Sequence, residues 1–264
     1  MNLKTKLNRW LLLSLLSLWA GGCSPTKTIQ TPWYLDMPAL KVQYNAAVAD
    51  ASIAQADEIC RTLPAITSPG EDERLEWVTE KQKQLLLVAS VMTATDAKAW
   101  HSDQSFNLSA EQGETAMPWV TLPYDLKRHV SSFHCTDSLE LRMRMVLLLG
   151  LPPDYNSDYI VFFYADREGI FRPSPDRETD DHEASLDFPP GTPQHYRAWF
   201  NEYSQFAYQS ATPYPWTRLG YTYDWNADNK SHIGPGEFVI NTGSLVRIKA
   251  KLTVWQWYQQ LKTT

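Results

Sequence analysis

Tyr159-Ile160-Val161-Phe162-Phe163-Tyr164-Ala165 is a run of apolar and aromatic residues with no polar break. A strand with one face in water alternates apolar and polar residues. A short run that does not alternate predicts a central strand buried on both faces. Further along, Val246, Ile248, Ala250, Leu252 and Val254 alternate with Arg247, Lys249, Lys251 and Thr253, the period of a strand with one wet face. Before the central run the pattern is helical. Residues 39–63 are Ala-rich and place Leu40, Tyr44, Ala47, Ala51 and Ala54 on one side. Ser68-Pro69-Gly70-Glu71 has the form of a capped helix start. It predicts a second helix to about Trp100, with Leu75, Val78, Leu85, Val88 and Met92 inward. Two adjacent helices make an antiparallel hairpin. Helices early and strands later predict an α+β fold: an N-terminal helical hairpin over 39–100, then a mixed or antiparallel sheet with packed helices over 117–264.

Residues 101–116 are polar and irregular. Trp119–Leu122 reads as a short strand. A helix is expected from Thr136, with Asp137 and Glu140 at its positive end and Met143, Val146 and Leu147 buried. Gly150 stops it, and Pro152 and Pro153 follow. Phe171–Pro193 is a long polar connection that Pro173 and Pro175 hold in a defined shape. Thr192-Pro193 opens a helix with Tyr196, Trp199, Phe200, Tyr203 and Phe206 in one stripe, a spacing typical of core packing. Tyr221–Trp225 and Glu237–Asn241 read as strands joined by a glycine-containing turn.

The first residues carry a separate message. Lys4, Lys6 and Arg9 precede an apolar stretch, Trp10–Ala20, which is shorter than the roughly 20 residues a bilayer span needs. A basic start, a short apolar core and small residues before a cut site describe a secretory signal peptide. Ala20-Gly21-Gly22-Cys23 resembles the lipobox of bacterial lipoproteins. The resemblance implies cleavage before Cys23 and lipid on that cysteine, with residues 23–38 as a tether. It also implies, through Ser24, a place in the outer membrane facing the periplasm. Several acyl chains give stable anchoring, at about 0.8 kcal/mol per buried methylene.

Removing residues 1–22 leaves 21 basic and 30 acidic residues, a net charge of −9. That balance argues against nucleic acid as a partner, since phosphate backbones reward clustered Lys and Arg. Cys60 and Cys135 remain. In an oxidising compartment they form a disulfide or stay as two buried thiols, and spacing alone does not choose. Nine of the chain's 11 Trp also remain. Large rings fill cores, and when exposed they stack on sugars and peptides.

Two clusters carry candidate chemistry. The acidic run Asp176, Glu178, Asp180, Asp181 and Glu183 with His182 offers oxygen ligands to a hard cation, chiefly through Asp176, Glu178 and Asp180. It lacks the EF-hand glycine and has its closing acid at the wrong spacing, and the commoner reading of such a run is a solvated acidic loop. Tyr214–Trp225 concentrates rings and charges. Trp216, Arg218, Tyr221, Tyr223 and Trp225 are candidates for a binding surface. If Glu237 pairs beside Asp224, the two carboxylates have the makings of a glycosidase acid and base, with Arg218 orienting substrate. The other reading is an aromatic hairpin whose charges satisfy each other. There is no GxSxG, P-loop, GxGxxG or HExxH, and nothing calls for a cofactor.

Leu149-Gly150-Leu151-Pro152-Pro153, Phe171-Arg172-Pro173, Tyr214–Trp225 and Glu237-Phe238-Val239 together resemble an uncharacterised group of bacterial exported proteins. The resemblance implies a shared exported fold and no activity. Cysteines of that group near the positions of Ser174 and Ala184 are absent here. The expectation is an exported, lipid-anchored envelope protein that binds an envelope protein or cell-wall material, the alternative being a cell-wall hydrolase that uses Asp224 and Glu237. Mass spectrometry of the mature N-terminal peptide tests the anchor: it should begin at an acylated Cys23, and the Cys23→Ala variant should yield no acylated peptide.

Overall fold

A computed structural model describes residues 31–101, 104–109 and 117–263. The signal segment, Cys23 and residues 24–30 lie outside the described residues. The expected central strand is β5 (Tyr159–Asp166). It pairs antiparallel with β2 (Lys83–Met92) from Leu85↔Asp166 to Met92↔Tyr159. On its other side it pairs with β10 (Leu245–Thr253), from Val246↔Ala165 to Thr253↔Tyr159. The sheet is completed by β1 (Trp77–Glu80) beside β2 and β3 (Phe106–Asn107) beside β10, in the order β1-β2-β5-β10-β3.

Both faces of β5 are dry. Val161, Phe163 and Ala165 pack in a cluster with Leu86, Val88 and Val246. The same cluster contains Val120 of β4 (Trp119–Val120), Phe238 and Ile240 of β9 (Phe238–Ile240), and Ile170 of β6 (Ile170–Phe171). Those three short strands form a second sheet, β4-β9-β6, over this face. On the opposite face Ile160 and Phe162 meet Leu126 of α3 (Pro123–Val130), Met145 of α4 (Ser138–Leu148) and Trp257 of α6 (Val254–Thr263). The fold is α+β, with antiparallel pairing throughout the described sheets.

Several sequence expectations hold. Asp137 caps α4, accepting hydrogen bonds from the Leu139 and Glu140 amides at 2.8 and 2.9 Å. Gly150 ends it with φ +66°, a conformation that costs glycine little. The Thr192-Pro193 signal precedes α5 (Gln194–Gln209). The first expected helix is α1 (Met37–Ala51), which buries Leu40, Tyr44, Ala47 and Ala51. It is shorter than expected. It also starts earlier: Asp36 caps it, and Tyr34 Oη donates to Asp137 at 2.8 Å. The folded part therefore already includes residues assigned to the tether.

The second helix of the expected hairpin is absent, and residues 77–92 form the β1–β2 hairpin instead. Ser68-Pro69-Gly70-Glu71 makes a turn, in which the Ser68 amide does donate to the Glu71 carboxylate at 3.0 Å. Two physical reasons explain the difference. β2 is buried over Leu85–Ser90 without a break, and an apolar run buried on both faces carries no period to separate strand from helix. The hairpin turn is Lys81-Gln82, both at positive φ (49° and 64°), where Asn-Gly is the recognisable signal. A third departure is in β10. The register shifts between Ile248 and Ala250. Ile248 packs against the first cluster and Leu252 against the second, so the alternating residues do not share one face.

Cys60 and Cys135 are both free. Cys60 packs with Leu63, Leu219 and Tyr221, and Cys135 packs against the α3–α4–α6 cluster, so the disulfide reading is corrected to two separate thiols. Burial pushes the Cys135 thiol up to about 11, which keeps it an inert thiol at neutral pH.

Changing Lys81-Gln82 to Asn-Gly separates hairpin from helix. With both positions at positive φ, the change should stabilise the protein by about 0.5–2 kcal/mol in urea unfolding. In a helix the introduced glycine alone would cost about 1 kcal/mol.

Candidate functional site

The functional candidates of 214–225 and 237 are distributed by strand pairing. β7 (Tyr221–Tyr223) does not pair with the strand after Glu237. Its partner is β8 (Ile233–Gly236), with Tyr221↔Gly236 and Tyr223↔Ile233. The Asp224 amide donates to His232 O, and the Glu237 amide donates to Gly220 O. Asp224 and Glu237 therefore sit at opposite ends of this ladder, four residue steps or about 13 Å apart along it. The expected carboxylate pair is not formed.

Asp224 is a structural ion. Arg144 Nη1 and Nη2 grip its two oxygens at 3.0 and 3.1 Å. The Asn226 amide and Asn229 Nδ2 add bonds at 3.1 and 3.0 Å. Asp224 is 2% exposed, and its oxygens are fully engaged. Arg218 is structural as well. It stands at φ +61° beside Gly220, sends Nη2 to Ser52 O at 2.9 Å at the C-terminus of α1, and lies 5.1 Å over the Tyr208 ring. Gly220 itself is required, because a Cβ there would sit 2.5 Å from Cδ of the wholly buried Arg172. Tyr221 and Trp225 are buried too. Tyr221 Oη donates to Glu58 O at 2.9 Å, and Trp225 Nε1 donates to Leu151 O at 3.1 Å. The exposed aromatic surface expected from this segment is not present.

In the acidic loop, Asp176 and Glu178 come together with Asp181, their oxygens within 4.8 Å of one another. Asp180 is exposed and outside the group. Arg172 pairs with Asp181, which offsets part of the negative charge. Burial raises the Asp176 carboxyl, and the charge of Asp176 raises Glu178. The loop is ordered, as its prolines imply, with residues 171–175 buried.

Glu237, Trp216 and Tyr223 meet in a different place. A cavity of about 580 Å³ opens where the last residues of β2 run beyond β1 and β4 docks beside them, through the reciprocal Ala89–Thr121 amide bonds of 2.9 Å. α2 (Ala94–Ala99) contributes Asp96, α5 contributes Tyr203, and the 214–216 segment closes one side. Six aromatic side chains line it: Trp119, Tyr155, Tyr203, Tyr214, Trp216 and Tyr223. Trp119, Tyr203 and Trp216 pack on one another with ring centres 5.2–5.9 Å apart. These dimensions suit a small ligand or one protruding group of a larger one.

Three polar atoms of this cavity's lining residues have no hydrogen-bond partner among the described residues: Glu237 Oε1, Trp216 Nε1 and Thr121 Oγ1. Buried polar groups are normally satisfied, and three of the ten buried side-chain atoms without a partner among the described residues belong to residues of this one cavity. Glu237 is 8% exposed. Desolvation raises its pKa well above the ordinary 4.5, and Trp216 Nε1 faces the carboxyl outside hydrogen-bond geometry and offsets only part of this. Desolvation first, and the charge of Glu237 second, also raises the Tyr203 phenol. Tyr155, also in the lining, is pushed up to about 12, by burial and then by Asp96. Asp96 accepts a hydrogen bond from Thr93 Oγ1 at 2.7 Å.

Sequence reasoning selected Glu237, Trp216 and Tyr223 but gave them other surroundings. Tyr203 read as core and Trp119 as the start of a short strand, and nothing local marked Thr121, Asp96 or Tyr155 as site residues. Comparison with protein families, curated proteins and solved structures finds no match to this chain.

A buried acid with a raised pKa holds its proton more tightly in the folded than in the unfolded chain. Its favourable contribution is complete below about pH 4.5 and is lost as pH rises toward the folded value. Glu237→Gln should therefore melt above the parent at pH 7–8, by about 2–4 °C per kcal/mol recovered, and the gap should close near pH 4. Thermal unfolding of both proteins across pH 4–8 checks this.

Proposed function

We propose that this chain is an exported, lipid-anchored protein of the bacterial envelope, facing the periplasm, that binds cell-wall material through the aromatic cavity around Glu237. The signal segment and Cys23 support the location. One observation carries the binding role: an aromatic-walled cavity whose lining residues include a buried carboxyl, an indole N–H and a hydroxyl without partners among the described residues. A cavity of this volume admits a sugar ring or a peptide side chain and is too small for a protein surface. No described helix is long and apolar enough to cross a membrane, so attachment through Cys23 is the anchor this reading uses.

A hydrolase is the second reading, in altered form. With Asp224 held by Arg144, the other carboxylate lining the cavity is Asp96. Two carboxyls whose surroundings differ are the pattern of acid and base, with Glu237 kept protonated as the acid.

Incubating the detergent-solubilised full chain with isolated cell-wall sacculi separates the two. Binding predicts co-sedimentation without release of soluble fragments. Tyr214→Ala, which alters a half-buried ring of the cavity, should weaken it by roughly tenfold. Released fragments would make the protein a hydrolase. Absence of both would remove the cell wall as its partner.

A further inference from the structure

We infer that the cavity's ligand is a cationic amine, held with its ammonium against the Glu237 carboxyl and beside the packed rings of Trp119, Tyr203 and Trp216. The inference rests on the cavity being a binding site and adds the charge of what enters it. Four observations lead to it.

The first is charge. Glu237 and Asp96 are the ionisable acids of the lining, and no Lys, Arg or His stands among the described lining residues. The second is the orphaned acceptor. Glu237 Oε1 receives no hydrogen bond among the described residues, although it is buried where water cannot serve it freely. A carboxyl in a protein interior normally has a cation or amide beside it, and Asp224 and Asp125 in the same chain both do. Arg218, the cation of the neighbouring loop, is directed instead to the α1 carbonyls and the Tyr208 ring.

The third is the wall. Trp, then Tyr, are the rings that attract ammonium groups most strongly, through their negative faces. Two Trp and four Tyr line this cavity. The fourth is the accompanying donor. Trp216 Nε1 can only donate, and Thr121 Oγ1 can do either. A ligand whose ammonium meets Glu237 and whose neighbouring oxygen accepts from Trp216 satisfies two of the three orphans. An amino sugar or an amino-acid side chain with a nearby carbonyl has that arrangement.

A desolvated carboxyl is costly alone and favourable when a ligand brings the opposite charge. Burial keeps Glu237 protonated more readily than usual, and the arriving ammonium reverses that preference.

Benzylamine and benzyl alcohol are suitable probes, being nearly identical in shape and different in charge. Calorimetric titration of the full chain in detergent should show benzylamine binding at least about tenfold more tightly. Glu237→Gln should abolish that preference while benzyl alcohol binds as before. Because the preference is read first on the unmodified chain, the test does not depend on the variant folding. Equal binding, or tighter binding of the alcohol, would overturn the cation and leave the cavity reading standing. A preference that survives in Glu237→Gln would also overturn it, by placing the cation elsewhere. If neither probe binds, the cation inference fails. The cavity reading fails with it only if Tyr214→Ala also leaves sacculus binding intact.

Discussion

The ladder between β2 and β5 ties residues 85–92 to 159–166, and the cavity depends on where that ladder continues after β1 has ended. β1 reaches only to Leu86 on β2. Beyond it the edge of β2 is free to bond the chain at Thr121, and that contact sets β4 and Trp119 beside β2. The second sheet follows from β4, since β9 pairs with it and carries Glu237 immediately ahead of its first residue. A shift of one residue in the β2–β5 register would exchange the two dry faces of the sheet and remove the site.

Two carboxylates of similar burial show how surroundings decide role. Asp224 and Glu237 are 2% and 8% exposed. Asp224 is met by a bidentate guanidinium, an amide and a side-chain amide, and the result is a closed ion pair that joins α4 to the end of β7. Glu237 is met by an indole at unfavourable geometry and otherwise by rings. In the first case the interior has supplied the opposite charge. In the second it has not, and burying such a group is sustained only by a compensating gain elsewhere.

Three helix ends were legible in the sequence. Asp137, Gly150 and Thr192-Pro193 each mark a boundary through one residue's chemistry, and the structure uses all three. The β1–β2 hairpin was not legible, because Lys81-Gln82 is not a recognisable turn and the buried run Leu85–Ser90 has no period. In β10 the alternation was plain, yet the bulge near Lys249 turned Ile248 and Leu252 to different faces. The candidate site was half legible. Composition drew attention to Trp216, Tyr223 and Glu237, but Arg218, Tyr221 and Trp225 proved to be internal supports, and Asp224 an internal ion pair.

The sequence by itself determined that residues 159–165 form a central strand, where α4 and α5 begin, and that the chain combines helices with strands. These follow from hydrophobic period and capping, which act over a few residues. Tertiary structure alone decided which strand meets which, that Cys60 and Cys135 stay apart, and that Glu237 shares a cavity with six rings and no cation among the described lining residues. Those outcomes depend on register, on one bulge and on two residues at positive φ. Their effects appear only when segments more than sixty residues apart are packed together.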